Sequence, residues 1–159
     1  MQDINKHLIF APFKKTFMSL EKVISISGKP GLYKLITQTR GGFVAESLVD
    51  NKRISVSVQN NVSVLSEIAI YTLTEEVPLV RVFENIKKKE NGAQTTVKAK
   101  DSKDKLEEYF FNVLPDYDED RVYASDIKKV IQWYNLLQQH NMLNNLIDDE
   151  DEKASDEEE

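Results

Sequence analysis

From Lys22 onward apolar and polar residues alternate with a period of two, and after Ser102 the period lengthens to 3.6. The chain therefore reads as a strand-rich first part followed by helices. Strands are predicted at 22–27, 32–39, 43–48 and 53–58, the last turning Ile54, Val56 and Val58 to one face and Ser55 and Ser57 to the other. The stretch 62–67 suits either a strand or a short helical turn, and 68–73, rich in β-branched and aromatic residues, is a further strand. The connections carry turn chemistry: Ser27-Gly28-Lys29-Pro30-Gly31, Arg40-Gly41-Gly42, Asp50-Asn51 and Gln59-Asn60-Asn61. An open sheet of five short strands leaves two unprotected edges, so the pattern predicts a small antiparallel barrel, SH3-like as first choice and OB-like as second.

Pro78 suits the first turn of a helix, and Leu79, Val82, Phe83 and Ile86 then share a face. Lys87, Lys88 and Lys89 fall in its last turn, where cations oppose the negative end of the helix dipole, and Asn91-Gly92 ends it. Residues 91–102 have little apolar content and read as a linker. Beyond it, Leu106, Tyr109, Phe110, Val113 and Leu114 form one helical stripe closed by Pro115, and Ser125 caps a second helix with Ile127, Val130, Ile131, Tyr134 and Leu137 buried. The predicted fold is thus α+β: a leader at 1–17, an SH3-like barrel plus helix at 18–90, the linker, a helical hairpin at 103–147 and a disordered acidic tail at 148–159. The leader's short apolar stretch, Leu8 to Phe13, lacks the order of a signal peptide, and the first regular pattern follows Met18.

The 159 residues are 40% apolar and 30% charged, the composition of a soluble globular protein, and no apolar run approaches the roughly 20 residues of a membrane span. Without cysteine there is no disulfide, thiol nucleophile or cysteine-ligated zinc, which fits a cytoplasmic setting. The net charge of −6 is unevenly distributed. Residues 148–159 carry nine acidic residues and one lysine, residues 1–100 are net +6, and 101–147 are net −4.

Candidate chemistry is sparse. The Gly28/Gly31 turn admits a glycine-lined anion site, but neither GxxxxGK[ST] nor GxGxxG is present, so it is read as a structural turn. Asp116, Asp118 and Asp120 resemble the opening of a calcium loop, yet Arg121 stands where glycine is required and Ile127 where the bidentate glutamate belongs. His7 and His140 are the two histidines, and no serine triad can be assembled from them. The reading assigns no catalytic residue, metal or cofactor and makes the chain a non-enzymatic interaction module that binds a protein or peptide through the barrel's rim. The alternative is single-stranded RNA or DNA bound by the basic N-terminal half with the acidic tail as competitor. Tyr33, Phe43 and Tyr71 lie where nucleic-acid-binding barrels place stacking platforms, although core packing accounts for them equally well. Trp133 falls at the edge of the helical stripe, either sealing the joint between hairpin and barrel or projecting as an anchor, with the seal preferred. Trp133, Tyr33 and Lys34 are the candidate partner contacts.

SISGKPGLYKLI at 25–36, IAIYT at 68–72, EEVPL at 75–79, and LPDYDEDRVYASDIKK at 114–129 with WYNLL after it together resemble a domain-of-unknown-function family of small Bacteroidota proteins. The resemblance spans 18–147 and extends to the acidic tail, whereas family members begin near the position of Met18. It implies an N-terminal barrel-like unit, a C-terminal helical unit and a cytoplasmic protein, and it implies no activity. Deleting 1–17 and 148–159 together is expected to leave the calorimetric unfolding midpoint within a few degrees, since neither end offers a periodic apolar face. A broadened, non-cooperative transition would show that one of them packs on the body.

Overall fold

In the computed structural model, which describes residues 20–144, strand β1 (Val23–Ile26) has a neighbour on each side. It pairs antiparallel with β2 (Tyr33–Thr39) and with β5 (Val62–Val64), and β2 leads on through β3 (Gly42–Ser47) to β4 (Arg53–Ser57). The order β4-β3-β2-β1-β5 is an open antiparallel sheet with a bulge in β2 between Leu35 and Thr37. Because successive side chains alternate, the sheet buries both faces. Ile24, Ile26, Tyr33, Ala45 and Val56 form one small cluster, while Val23, with Leu32, Leu48 and Leu65 nearby in the chain, joins the larger core shared with the helices.

The expected closed barrel is not formed, since β4 and β5 are the two ends of the strand order and do not pair. Two features keep it open. β5 has only three residues before the 3-10 turn Leu65–Glu67, and the next strand, β6 (Ala69–Tyr71), leaves the sheet to pair with β7 (Glu76–Pro78) in a separate ribbon. That ribbon turns without glycine. The buried Thr72 accepts the N–H of Glu75 at 2.9 Å through Oγ1 and donates the same hydroxyl to the Glu75 carbonyl at 2.6 Å, doing with a side chain what turn residues do with backbone.

Helix α1 (Leu79–Glu90) follows at once, ending at Asn91 and Gly92, both at positive φ. Helices α2 (Lys103–Val113) and α3 (Ala124–Gln139) bury the residues expected of their stripes. The start of α3 differs from expectation. Ser125 lies inside its first turn, and the Asp126 carboxylate accepts the Tyr123 N–H at 3.0 Å. Helix α1, expected to complete the barrel unit, packs Val82, Phe83 and Ile86 into the core with α2 and α3. No helix among the described residues is long and apolar enough to cross a membrane. The leader 1–17 and the tail 148–159 fall outside the described residues.

Residues 91–102 are not a free linker but a strap held along α3. Asn135 accepts the Thr95 N–H and donates to Thr95 Oγ1, each at 2.9 Å. The Tyr134 hydroxyl donates to the Ala93 carbonyl at 2.9 Å, Gln138 donates to the Gly92 carbonyl at 3.3 Å, and Val97 is buried. Polar composition misleads here because the strap's partners lie about 40 residues away along the chain. Asn135→Ala leaves the Thr95 N–H and hydroxyl without these partners and is expected to lower stability by about 1–3 kcal/mol, read as a lower urea midpoint. An unchanged midpoint would mean that the strap contributes nothing.

Candidate functional site

Helix α3 meets the sheet unit through the turn that precedes β2. Gly31, at φ +79°, sits so close that an added Cβ would come within 2.8 Å of a Val49 methyl and 3.8 Å of Leu136 on α3. Trp133 lies one residue before the fully buried Tyr134, about 100° round the helix. It is half-buried, packs on the main core, and lines two cavities.

The first, about 240 Å³, lies between α3 and the outer edge of β6. Its apolar lining includes Ile68, Ile70, Leu79 and Val130 as well as Trp133, and its charged lining is Arg121, Asp126 and Lys129. The β6 edge is half used. The Ile68 carbonyl and the Thr72 N–H turn toward β7, accepting from Leu79 at 2.9 Å and donating to Glu75 at 2.8 Å, so the peptide groups of Ala69 and Tyr71 turn outward. On that outer side the Tyr71 carbonyl accepts from Asp118 and the Leu73 N–H donates to Asp116, both at 2.9 Å. The chain then turns away as Arg121 and Val122 donate back to the Asp118 carbonyl. The N–H and carbonyl of Ala69 and the N–H of Tyr71 have no partner among the described residues.

Arg121 is fixed at the mouth. Its guanidinium stacks over the Tyr71 ring, 4.2 Å from the centroid, and donates to Asp118 Oδ2 at 2.7 Å. That hydrogen bond, first among the causes, holds the Asp118 carboxyl below the usual carboxylate range, and the Asp120 N–H adds to it. Lys129 has no partner among the described residues, whereas Asp126 is engaged with the Tyr123 N–H.

The second cavity, about 180 Å³, is lined by residues 25–31 and by Lys129, Gln132 and Trp133. It is mainly polar, and both its charged side chains, Lys29 and Lys129, are cationic.

Of the residues expected to meet a partner, only Trp133 reaches these cavities. Tyr33 is 8% exposed and packs with Ile24 and Val56 in the small sheet cluster, so it offers no face to a ligand. Lys34 lies in register with Glu46 of β3 and lines neither cavity. Phe43 packs against the same small cluster, and Tyr71, 40% exposed, has Arg121 over its ring, so no aromatic platform is assembled from the three. Two of the three lysines at the end of α1 have structural contacts: Lys87 donates to the Leu143 carbonyl at 3.1 Å, and Lys89 lies 5.5 Å from the Tyr109 ring centroid. Sequence reasoning missed Arg121, Lys129 and the edge at Ala69. The i, i+4 spacing of Lys129 and Trp133 puts those two on one helix face, and no local signal marked Arg121 or the edge at Ala69.

Residues 20–65 match the family model described as Domain of unknown function (DUF5606), and residues 68–137 match Domain of unknown function (DUF6852). The seam between the matches falls in the 3-10 turn Leu65–Glu67, where the five-stranded sheet ends. A solution NMR structure of a structural-genomics target from Bacteroides vulgatus is 46% identical, covers 81% of this chain and 89% of its own, and superposes with a TM-score of 0.64. No curated protein matches the sequence.

The lowered Asp118 pKa carries a pH dependence of definite sign. As pH falls, the unfolded chain takes up this proton before the folded one, so the stabilisation is complete above the unfolded value and is lost as pH drops through the folded value. Asp118→Asn is expected to remove that contribution, making urea stability fall less steeply than wild type between about pH 5 and pH 2. Parallel pH profiles for the two proteins would show that the ion pair does not hold the loop.

Proposed function

Since this chain belongs to the Bacteroidota family that joins the DUF5606 and DUF6852 domains, whose descriptions carry no activity, we propose from its geometry that it is a non-enzymatic peptide-recognition module. An extended segment of a protein partner adds to the outer edge of β6 and presses an apolar side chain into the groove beside Trp133. The observation that carries this reading is the conjunction of three open, outward backbone groups at Ala69 and Tyr71 with an apolar groove directly beside them. Strand addition draws affinity from the backbone groups and specificity from the pocket between them.

The groove's charges define the partner's chemistry. Arg121 and Lys129 face one carboxylate, Asp126, which already accepts a backbone N–H. A peptide with an acidic residue next to an apolar one complements both the floor and the rim. The recognition site is then the joint between the two units and not the rim of the sheet. We read that sheet as an SH3-like barrel left open, a reading supported by β1 lying between β2 and β5 and by the bulge that bends β2.

A display library of random peptides selected against the full chain tests the proposal. Enriched sequences are expected to combine an acidic and a large apolar residue and to shift the emission of Trp133, the only tryptophan. Ala69→Pro removes one outward N–H while Ile68, at φ −80° and ψ 136°, already has the extended conformation that precedes proline. It is expected to weaken binding about tenfold. Peptides that leave Trp133 emission unchanged, or that bind the Ala69→Pro protein equally well, would overturn the reading. So would single-stranded RNA that displaces them with a steep salt dependence.

A further inference from the structure

The second, mainly polar cavity shares Lys129 and Trp133 with the β6 groove, but its remaining walls are its own, and the charged side chains that line it are both cationic. Lys29 enters from the turn and Lys129 from α3, and no carboxylate lines the space. Along the turn, the N–H of Ser27 donates to the Asn61 carbonyl at 2.9 Å and that of Lys29 to the Ile26 carbonyl at 3.1 Å. Those of Gly28 and Gly31 have no partner among the described residues. Both glycines have positive φ, +83° and +79°, a conformation open to few other residues and one that recurs where turn N–H groups gather around an anion.

Two features separate this from an ordinary exposed turn. A Cβ added at Gly31 would meet a Val49 methyl at 2.8 Å and Leu136 at 3.8 Å, so this end of the turn lies close against its neighbours, and order present before binding lowers the ordering cost. Two lysines facing one small space also repel each other unless a negative charge lies between them. A volume of about 180 Å³ is well above what one water needs and is large enough for one tetrahedral or planar oxyanion with part of its hydration.

We infer that the cavity formed by the Gly28–Gly31 turn, Lys29 and Lys129 is an oxyanion-binding subsite for a phosphate or carboxylate group. The ammonium groups supply the charge, and the glycine N–H groups and the Gln132 amide supply directed donors. Charge-assisted hydrogen bonds of this kind are about twice as strong as neutral ones.

The test is a titration of the ¹⁵N-labelled full chain, followed by amide shifts, with sodium phosphate, O-phosphoserine and sodium acetate in turn, each against sodium chloride at equal ionic strength. Saturable shifts at Gly28, Gly31 and the Trp133 indole are expected. Saturation by phosphate and phosphoserine alone assigns the site to phosphate groups, and equal saturation by acetate assigns it to carboxylates. Lys29→Gln, which leaves the β6 groove untouched, is expected to weaken binding about tenfold, while Ala69→Pro, which disrupts only the groove, leaves it unchanged. Shifts that do not saturate, that are equally large at Lys87 to Lys89, or that persist at full affinity in the Lys29→Gln protein would overturn the inference.

Discussion

The helical half depends on one buried polar contact. Tyr134 is fully buried against Phe83, their ring centroids 6.4 Å apart, and its hydroxyl reaches the Ala93 carbonyl at 2.9 Å. A hydroxyl taken out of water without a partner costs several kcal/mol on the least forgiving scales, so Ala93 has to stay where the ring can reach it. That requirement ties the strap to α3. Asn135 and Gln138, one residue and one helical turn further on, extend the contact along the same side. Burial pushes the Tyr134 phenol above its ordinary range, with the nearby Glu90 charge acting in the same direction. At neutral pH the group is therefore a neutral donor.

With α3 fixed in this way, its other sides face defined neighbours. Leu136 meets the turn before β2, and Trp133 projects between that turn and β6. Part of the Trp133 side chain packs on the core and part lines open space, so the packing expected of a seal is present and the surface an anchor would need is also there. A truncation of Trp133 read by unfolding alone therefore does not separate the packing role from the proposed recognition role. For that reason the edge at Ala69 and the cation at Lys29 are the more informative positions.

Local grammar made much of the fold readable. Period-two alternation located β1 to β4, and the 3.6 period placed Leu106, Phe110, Ile127 and Ile131 on buried faces. What stayed hidden depends on pairing across the chain. Nothing in Val62–Val64 says that it will pair with β1, and nothing in 68–73 says that it will not. Thr72 closes a turn with its hydroxyl where the usual turn residues are missing, and the strap's polar residues resemble a solvated linker until Asn135 is seen opposite them. Tyr33 shows the same limit for the site. An aromatic in a strand is equally a platform or a core residue until the sheet's two faces are known, and here its face is the buried one. The cavities were out of reach because their walls come from β6, α3 and the turn at 25–31, segments that only the tertiary fold brings together.

The way each exposed strand edge is defended bears on what the open one is for. Unpaired edges invite pairing with other chains, and proteins blunt them with charge, proline, brevity or cover. β4 alternates Ser55 and Ser57 with apolar positions and begins at Arg53, which pairs with Glu46 at 3.2 Å. β5 is three residues long, and β7 carries Glu76 and Pro78. β6, Ala-Ile-Tyr, has neither charge nor proline, and the segment at Asp116 to Asp118 covers it only as far as Tyr71. Its remaining protection is position. α3 stands opposite, and its Trp133 and Lys129 line the cavity beside the edge. On the reading proposed above, an edge that is undefended in sequence yet lies beside α3 serves to take up one extended peptide, which is what would distinguish it from an aggregation hazard.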